Sequence, residues 1–402
     1  MKIYNNGSNL ETIKVNNRSL VLRVLNTLGQ VTRVELSKIT GLTKTSITNI
    51  TTELLESGII YETGIVDSSA GRKPKLLKIV EDAAYSIGIY ISRDFVYTNI
   101  VNLKGRIINE CTHKFDFTEN ENMFLSIICS NIQKVLETSQ VKSEKILGVG
   151  IASIGPLDIV NGIILDPPNF RGLKSIPVVK TVKERFNLKA FLDNDMNAAA
   201  IAEKLFGSAR SISNFIYIGV TNGLGAGIVI NGNLFRGSNG FAGEIGHTTI
   251  NFSGERCACG NSGCLELYAN IPAVVNQVRS SIKLGAESII SGKRDITWPD
   301  IISAAYKNDP LCLEAINKLA HYLSIGIVNA INSFDPEVVF IGHEIALAGD
   351  LVIKPLNETI NRGTIFREAK KVPIKLSEFK DYAPRIGAAS IVLDKFFNGE
   401  FV

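Results

Sequence analysis

The chain has 402 residues, 45% of them hydrophobic and 20% charged, with six cysteines and a formal net charge of +4. At roughly 100–200 residues per domain this is two to four domains, too apolar for a disordered polymer and too poor in cysteine for a disulfide-built scaffold. The opening Met1–Asn9 stretch lacks the apolar run of a secretory signal. A long uncharged run, Asn214 to Phe235, carries five glycines and five Thr/Asn residues, so it reads as strands around a glycine loop and no membrane partner is expected.

The charge is unevenly placed. Residues 1–80 hold eleven Lys/Arg against six acids, +5, which leaves −1 for residues 81–402. A small basic module on a near-neutral body suggests a polyanion partner for the module. Its pattern predicts three helices: one across Ser19–Thr27 before Gly29; a second capped by Thr32 with Glu35 three residues on; a third capped by Thr43, with Ile47, Ile50, Leu54 and Leu55 on its apolar stripe until Ser57-Gly58. This is a helix-turn-helix, with Lys44, Thr45, Ser46, Thr48, Asn49 and Thr52 off the apolar stripe and suited to base edges and phosphates. A polar solvent face on a plain helical hairpin would look similar. Two strands, Ile59–Tyr61 and Leu76–Val80, add a wing with Arg72 and Lys73 at its tip, suited to a narrow minor groove.

From residue 85 the chain alternates. Strands are expected at 86–91, 96–101 and 106–111, a helix at about 119–139 and a strand at 146–151. The strand-turn-strand order recurs at 215–220, 226–230 and 234–236, with helices at about 272–283, 310–332 and 351–361. Two halves that each open with a β-meander and continue into βα units predict two α/β lobes with a ligand cleft between them. The glycine loop Gly219–Gly227 lies between two strands and fits either a phosphate cradle or a tight hairpin. Asp195, at the start of a strongly helical run, suits a helix cap, a ligand-hydroxyl acceptor, or both.

The sharpest constellation is Gly243-Glu244-Ile245-Gly246-His247 followed by Cys257, Cys259 and Cys264. One histidine and three cysteines form the N/S set that zinc prefers, and four protein ligands make the site structural; free buried thiols are the alternative. A zinc ion there would pin Glu244 and Glu266 as acceptor-only carboxylates aimed at a polyhydroxylated ligand.

With these motifs the sequence resembles the ROK family of repressors and sugar kinases over essentially its whole length. The resemblance is carried by Gly148–Pro156, Pro168-Asn169, Asn194–Ala200, Gly243–His247, the Cys-x-Cys-Gly-x-x-Gly-Cys-x-Glu string at Cys257–Glu266, and Arg385–Ala389. It implies a two-lobed, actin-like (ribonuclease H-like) α/β fold behind an α+β winged helix-turn-helix. The DNA module is expected at 1–80 and the lobes at 81–195 and 196–402, with a C-terminal helix at about 385–398 returning to the first lobe. It also implies zinc on His247, Cys257, Cys259 and Cys264, and a sugar held by Asn169, Asn194, Asp195, Glu244, His247 and Glu266. In the family's kinases the residue matching Asp195 is the general base.

The departures from the kinase pattern matter. Tyr90-Ile91-Ser92-Arg93-Asp94 replaces the first phosphate loop, and Gly342-His343-Glu344 replaces a glycine-rich turn near the nucleotide base, so no ATP and no catalysis are expected. The expectation is a cytoplasmic, nucleoid-associated, homodimeric repressor released or recruited by a monosaccharide. Xylose is the first candidate because, within the family, the chain looks most like the xylose-operon repressors; glucose and N-acetylated hexosamines are competitors. The alternative is an ATP-dependent hexose kinase with an added DNA-binding module.

Overall fold

The computed structural model describes residues 9–65, 75–115, 120–168, 170, 172–363 and 371–401. The N-terminal module is α1 (Leu10–Leu28), β1 (Val31–Thr32), α2 (Arg33–Thr40), α3 (Lys44–Glu56), β2 (Ile60–Ile65) and β3 (Lys75–Ile79). Its sheet order, β1-β3-β2, antiparallel throughout, is that of a winged helix. Two helix starts follow their caps. Thr32 and Glu35 form a reciprocal capping box, and the Thr43 hydroxyl accepts from Ser46 N at 3.1 Å. The first helix is longer than its apolar pattern predicts: it begins at Leu10, where the Asn9 carboxamide caps Thr12 N at 2.7 Å. The short strand β1 is also unannounced, since two residues carry no period. The wing tip lies outside the described residues.

The first lobe comprises β4 (Tyr85–Ile91), β5 (Phe95–Asn102), β6 (Ile107–Lys114), α4 (Glu121–Ser139), β7 (Ile146–Ser153), the short pair β8 (Leu157–Asp158) and β9 (Ile163–Ile164), α5 (Val178–Phe186), β10 (Ala190–Asn194) and α6 (Asp195–Leu205). The second comprises β11 (Phe215–Val220), β12 (Leu224–Ile230), β13 (Asn233–Leu234), α7 (Leu265–Tyr268), α8 (Ile271–Lys283), α9 (Trp298–Ala305), α10 (Pro310–Phe334), β14 (Val338–Gly342), α11 (Asp350–Gly363), β15 (Ile374–Leu376) and α12 (Ala383–Phe397). The main sheets run β6-β5-β4-β7-β10 and β13-β12-β11-β14-β15. In each, an antiparallel meander is followed by two parallel strands on the other side of the first, so one topology occurs twice.

The uncharged run thus forms β11, β12 and β13 with the turns between them. Helix α10 is long and apolar enough to cross a membrane, but it packs against α8, α9 and α11 as the core helix of the second lobe.

Two helices join the halves. Helix α12 lies on β4 and β7 of the first sheet, α6 lies on β12 and β11 of the second, and the two pack against each other. Glycine makes the approach possible. A Cβ on Gly387 of α12 would sit 2.3 Å from Ala198 O, and one on Gly227 of β12 would sit 2.4 Å from Met196 O. Helix α1 is not a tethered appendage. Val21, Leu22 and Leu25 share one buried core with Leu205 of α6 and with Leu393, Phe396 and Phe397 of α12. The long-range Arg23 Nε–Asn398 Oδ1 hydrogen bond, 3.0 Å, reinforces that seam.

Candidate functional site

The cleft wall is assembled from the end of β10, the start of α6, the 243–247 turn and α7. Asn194, not Asp195, is the N-cap of α6: its Oδ1 accepts from Met196 N at 2.8 Å, while Asp195 occupies the first helical position and its own Oδ1 receives the same N–H at 2.9 Å. Local sequence does not separate these acids and amides, because the cap is decided by which residue leaves the strand. Asp193 is also removed from ligand duty. It is buried and held by Arg236 Nε and Nη2 at 2.9 and 2.7 Å and by Asn197 Nδ2 at 2.9 Å. Sequence reading missed Arg236, which sits forty residues away with no periodic signal.

Asp195 is 5% exposed, and burial, reinforced by the negative charge of Glu244, pushes its carboxyl up to about 7. Glu244 in turn feels His247 and Glu266. Three acceptors therefore converge near one histidine. Glu266 is tied to the glycine loop, accepting from Leu224 N at 2.8 Å. That loop is a tight hairpin, with Val220 opposite Leu224 and Thr221 N donating to Gly223 O at 2.9 Å. It offers the Leu224 N–H to a carboxylate rather than to a phosphate.

The turn carrying Glu244 is docked on β12 by Ala226 N donating to Gly243 O at 2.9 Å. The cysteine loop folds back on it through Ile250 N to Gly263 O and Leu265 N to Thr248 O, both 2.9 Å. The Sγ atoms of Cys257, Cys259 and Cys264 and a ring nitrogen of His247 all lie within 4.8 Å of one another. Two of the spacings, Cys259 Sγ to Cys264 Sγ and Cys257 Sγ to His247 Nδ1, are 3.7 Å. Metal–sulfur bonds of about 2.3 Å put tetrahedral sulfurs about 3.8 Å apart, so these four atoms have the spacing of a shared metal ion rather than of unrelated thiols.

The two departures from the kinase pattern meet in the structure. Tyr90 Oη, from β4, and His343 Nε2, just beyond β14, are 3.1 Å apart and both residues are buried. Glu344 N donates to His343 Nδ1 at 3.0 Å, which leaves Nε2 as the protonated nitrogen facing Tyr90. Burial lowers the His343 pKa to about 4, so the ring stays neutral. His343 has φ +65° and ψ −158°, a region almost reserved for glycine and costing about 1–3 kcal/mol for another residue. The backbone holds a conformation that suits glycine while carrying a buried side chain that meets Tyr90 of the other lobe. Arg93, in the altered first loop, donates from Nε to Pro168 O at 3.2 Å, and Asp94 is exposed. Asn169 lies outside the described residues.

On the DNA module, Lys44, Thr45, Thr48, Asn49 and Thr52 are exposed on one side of α3, while Ile47, Thr51 and Leu54 are buried on the other. Ser46 is half-buried and engaged with Thr43 at the cap, its Oγ 3.0 Å from the Thr43 Oγ1. Arg33 Nη1 reaches Glu62 at 2.8 Å and Lys75 pairs with the same carboxylate, so part of the module's basic excess is spent internally. Arg72 and Lys73 lie outside the described residues.

A winged helix-turn-helix fused through a shared core to a duplicated, two-lobed α/β body defines a class: a sugar-kinase-like frame carrying a DNA reader. The chain belongs to the ROK family, whose signature spans residues 86–395. It is 35% identical over 384 residues to the xylose repressor of Caldicellulosiruptor bescii, covering 95% of this chain and 96% of that one. Among solved structures it resembles a ROK family transcriptional regulator, a homologue of Escherichia coli Mlc, with a TM-score of 0.83, 29% identity and coverage of 97% and 98%. It also resembles a ROK glucokinase from Streptomyces griseus bound to glucose and AMPPNP, with a TM-score of 0.69 and 28% identity. That match covers 99% of the kinase but 77% of this chain.

Proposed function

We infer that the protein is a sugar-responsive transcriptional repressor, not an enzyme: α3 and the wing read operator DNA, and a monosaccharide bound between the lobes changes that affinity. The observation that carries this is the combination of an acceptor cluster, Asp195–Glu244–Glu266, with the buried Tyr90–His343 contact, which joins the replaced first phosphate loop to the replaced turn near the nucleotide base. Asn169, Asn194 and His247 complete the proposed sugar shell. Zinc is the proposed metal on His247, Cys257, Cys259 and Cys264, in a closed structural role. With Nδ1 turned to the metal, His247 keeps its other ring nitrogen for a sugar hydroxyl. The proposed DNA contacts are Lys44, Thr45, Ser46, Thr48 and Asn49 from the helix and Arg72 and Lys73 from the wing.

Xylose is the proposed effector, favoured by the similarity to a xylose repressor. A homodimer is the proposed working form, acting on the nucleoid in the cytoplasm, because paired half-sites suit paired readers. The test is a calorimetric screen of monosaccharides against the purified protein, then operator titration with each that binds. Xylose binding with a changed operator affinity is the expected result. Steady ADP release from ATP in the presence of any of these sugars would overturn the reading in favour of a hexose kinase with an added DNA-binding module.

A further inference from the structure

The helix that starts at the sugar site ends on the DNA module. Helix α6 begins with Asp195 and runs 11 residues, about 16 Å at 1.5 Å per residue. Its last three residues are each tied to a different segment of the chain. Glu203, fully buried, accepts from Glu378 N at 2.8 Å and from the Ser377 hydroxyl, just beyond β15 of the second lobe. Lys204 pairs with Asp394 of α12 at 3.2 Å. The Leu205 carbonyl accepts from Asn26 Nδ2 of α1 at 2.8 Å, and Asn26 is itself buried.

Helix α6 has little lateral freedom, because Gly387 and Gly227 clamp its backbone from two sides at Ala198 and Met196. A rod held so can shift chiefly along or about its axis, and such a shift at Asp195 reaches all three ties together. We propose that the C-terminal turn of α6, Glu203-Lys204-Leu205, is the joint that carries sugar occupancy to the DNA module, with Asn26 as the receiving positioning residue. Asn26 touches neither ligand. It sits on the face of α1 that shares a core with α12, so its hydrogen bond fixes the seating of α1, and through it the helix-turn-helix, against the end of the rod.

This inference rests on the sugar-responsive reading above. The experiment compares the wild-type protein with Asn26→Leu, which keeps size and burial but donates no hydrogen bond. Operator affinity is measured with and without D-xylose, with D-glucose in parallel, on a duplex that the wild type selects from a random pool. Sugar affinity is also measured without DNA. Allosteric coupling is a ratio of affinities and typically amounts to about 5–150-fold. In the variant, sugar and operator should each bind within about threefold of wild type while their mutual effect falls to less than about threefold. A residue that merely supports folding would lower stability and leave that ratio unchanged. Undiminished coupling in Asn26→Leu overturns the proposal. If that variant fails to fold, Asn26→Ser, whose hydroxyl is too short to reach Leu205 O, is read the same way. A wild type whose operator affinity neither sugar alters removes the sugar-responsive reading itself, and the joint with it.

Discussion

At the scale of single residues, two acids separated only by Asn194 differ in fate because of what surrounds them. Asp193 meets Arg236 and Asn197 and becomes part of the frame; Asp195 meets burial and Glu244 and is held near neutrality. A sugar hydroxyl donates best to an ionised carboxylate, so if Asp195 holds the sugar as proposed, proton and sugar compete there. With its carboxyl at about 7, Asp195 is increasingly protonated as pH falls below 7, and sugar affinity should weaken on that side, by as much as about tenfold per pH unit. Asp195→Asn should bind more weakly at pH 8 and lose the pH dependence; calorimetry from pH 5.5 to 8.5 measures both. On α3, Asn49 is exposed on the side away from the buried stripe, and among the described residues no side chain hydrogen-bonds to it, so Asn49→Ala should leave stability within about 0.5 kcal/mol. Its operator affinity should fall by about 1–3 kcal/mol, roughly tenfold or more by gel shift; an unchanged shift removes α3 as the reading helix.

At the scale of elements, the cysteine loop is the least self-sufficient part of the body. Between the 243–247 turn and α7 it forms isolated bridges and turns, and its cysteines and histidine bring together the donor atoms of one site. A bound ion would supply the cohesion that a hydrophobic core supplies elsewhere. Elemental analysis should find about one zinc per chain. Cys257→Ala should lose it, lower the melting temperature and cost sugar binding, because Glu244 and Glu266 flank the ligands. Normal sugar binding by metal-free protein would uncouple the two sites. At the cap of α6, Asn194 Oδ1 and Asp195 Oδ1 share the Met196 N–H, which leaves Asp195 Oδ2 outside that bond.

At the scale of the whole molecule, the basic excess of residues 1–80 is smaller in effect than in count. Glu62 engages Arg33 and Lys75, and Arg18 lies 3.5 Å from Glu53. Lys38 and Lys44 remain exposed. A reader that makes a few phosphate contacts should still lose operator affinity steeply with salt, with a log–log slope of about −0.9 per contact. Titrations between 50 and 300 mM salt measure it, and a flat response would remove the electrostatic footprint assigned to the module. Lobes and reader share buried cores rather than flexible linkers, so a change in lobe arrangement has no slack in which to dissipate.

Much of this protein was legible in the linear order of its residues. The helix caps at Thr32 and Thr43, the repeated meanders, the cysteine spacing and the replaced phosphate loop are local signals, carried by neighbours a few residues apart. What the order could not settle is which acid pairs with Arg236, that Tyr90 and His343 would find each other across 253 positions, or that Asn26 would meet the end of α6. Those outcomes depend on how two lobes and a reader pack. Packing brings together groups whose separation along the chain leaves no periodicity to read, and only then do burial and neighbouring charge decide what each side chain does.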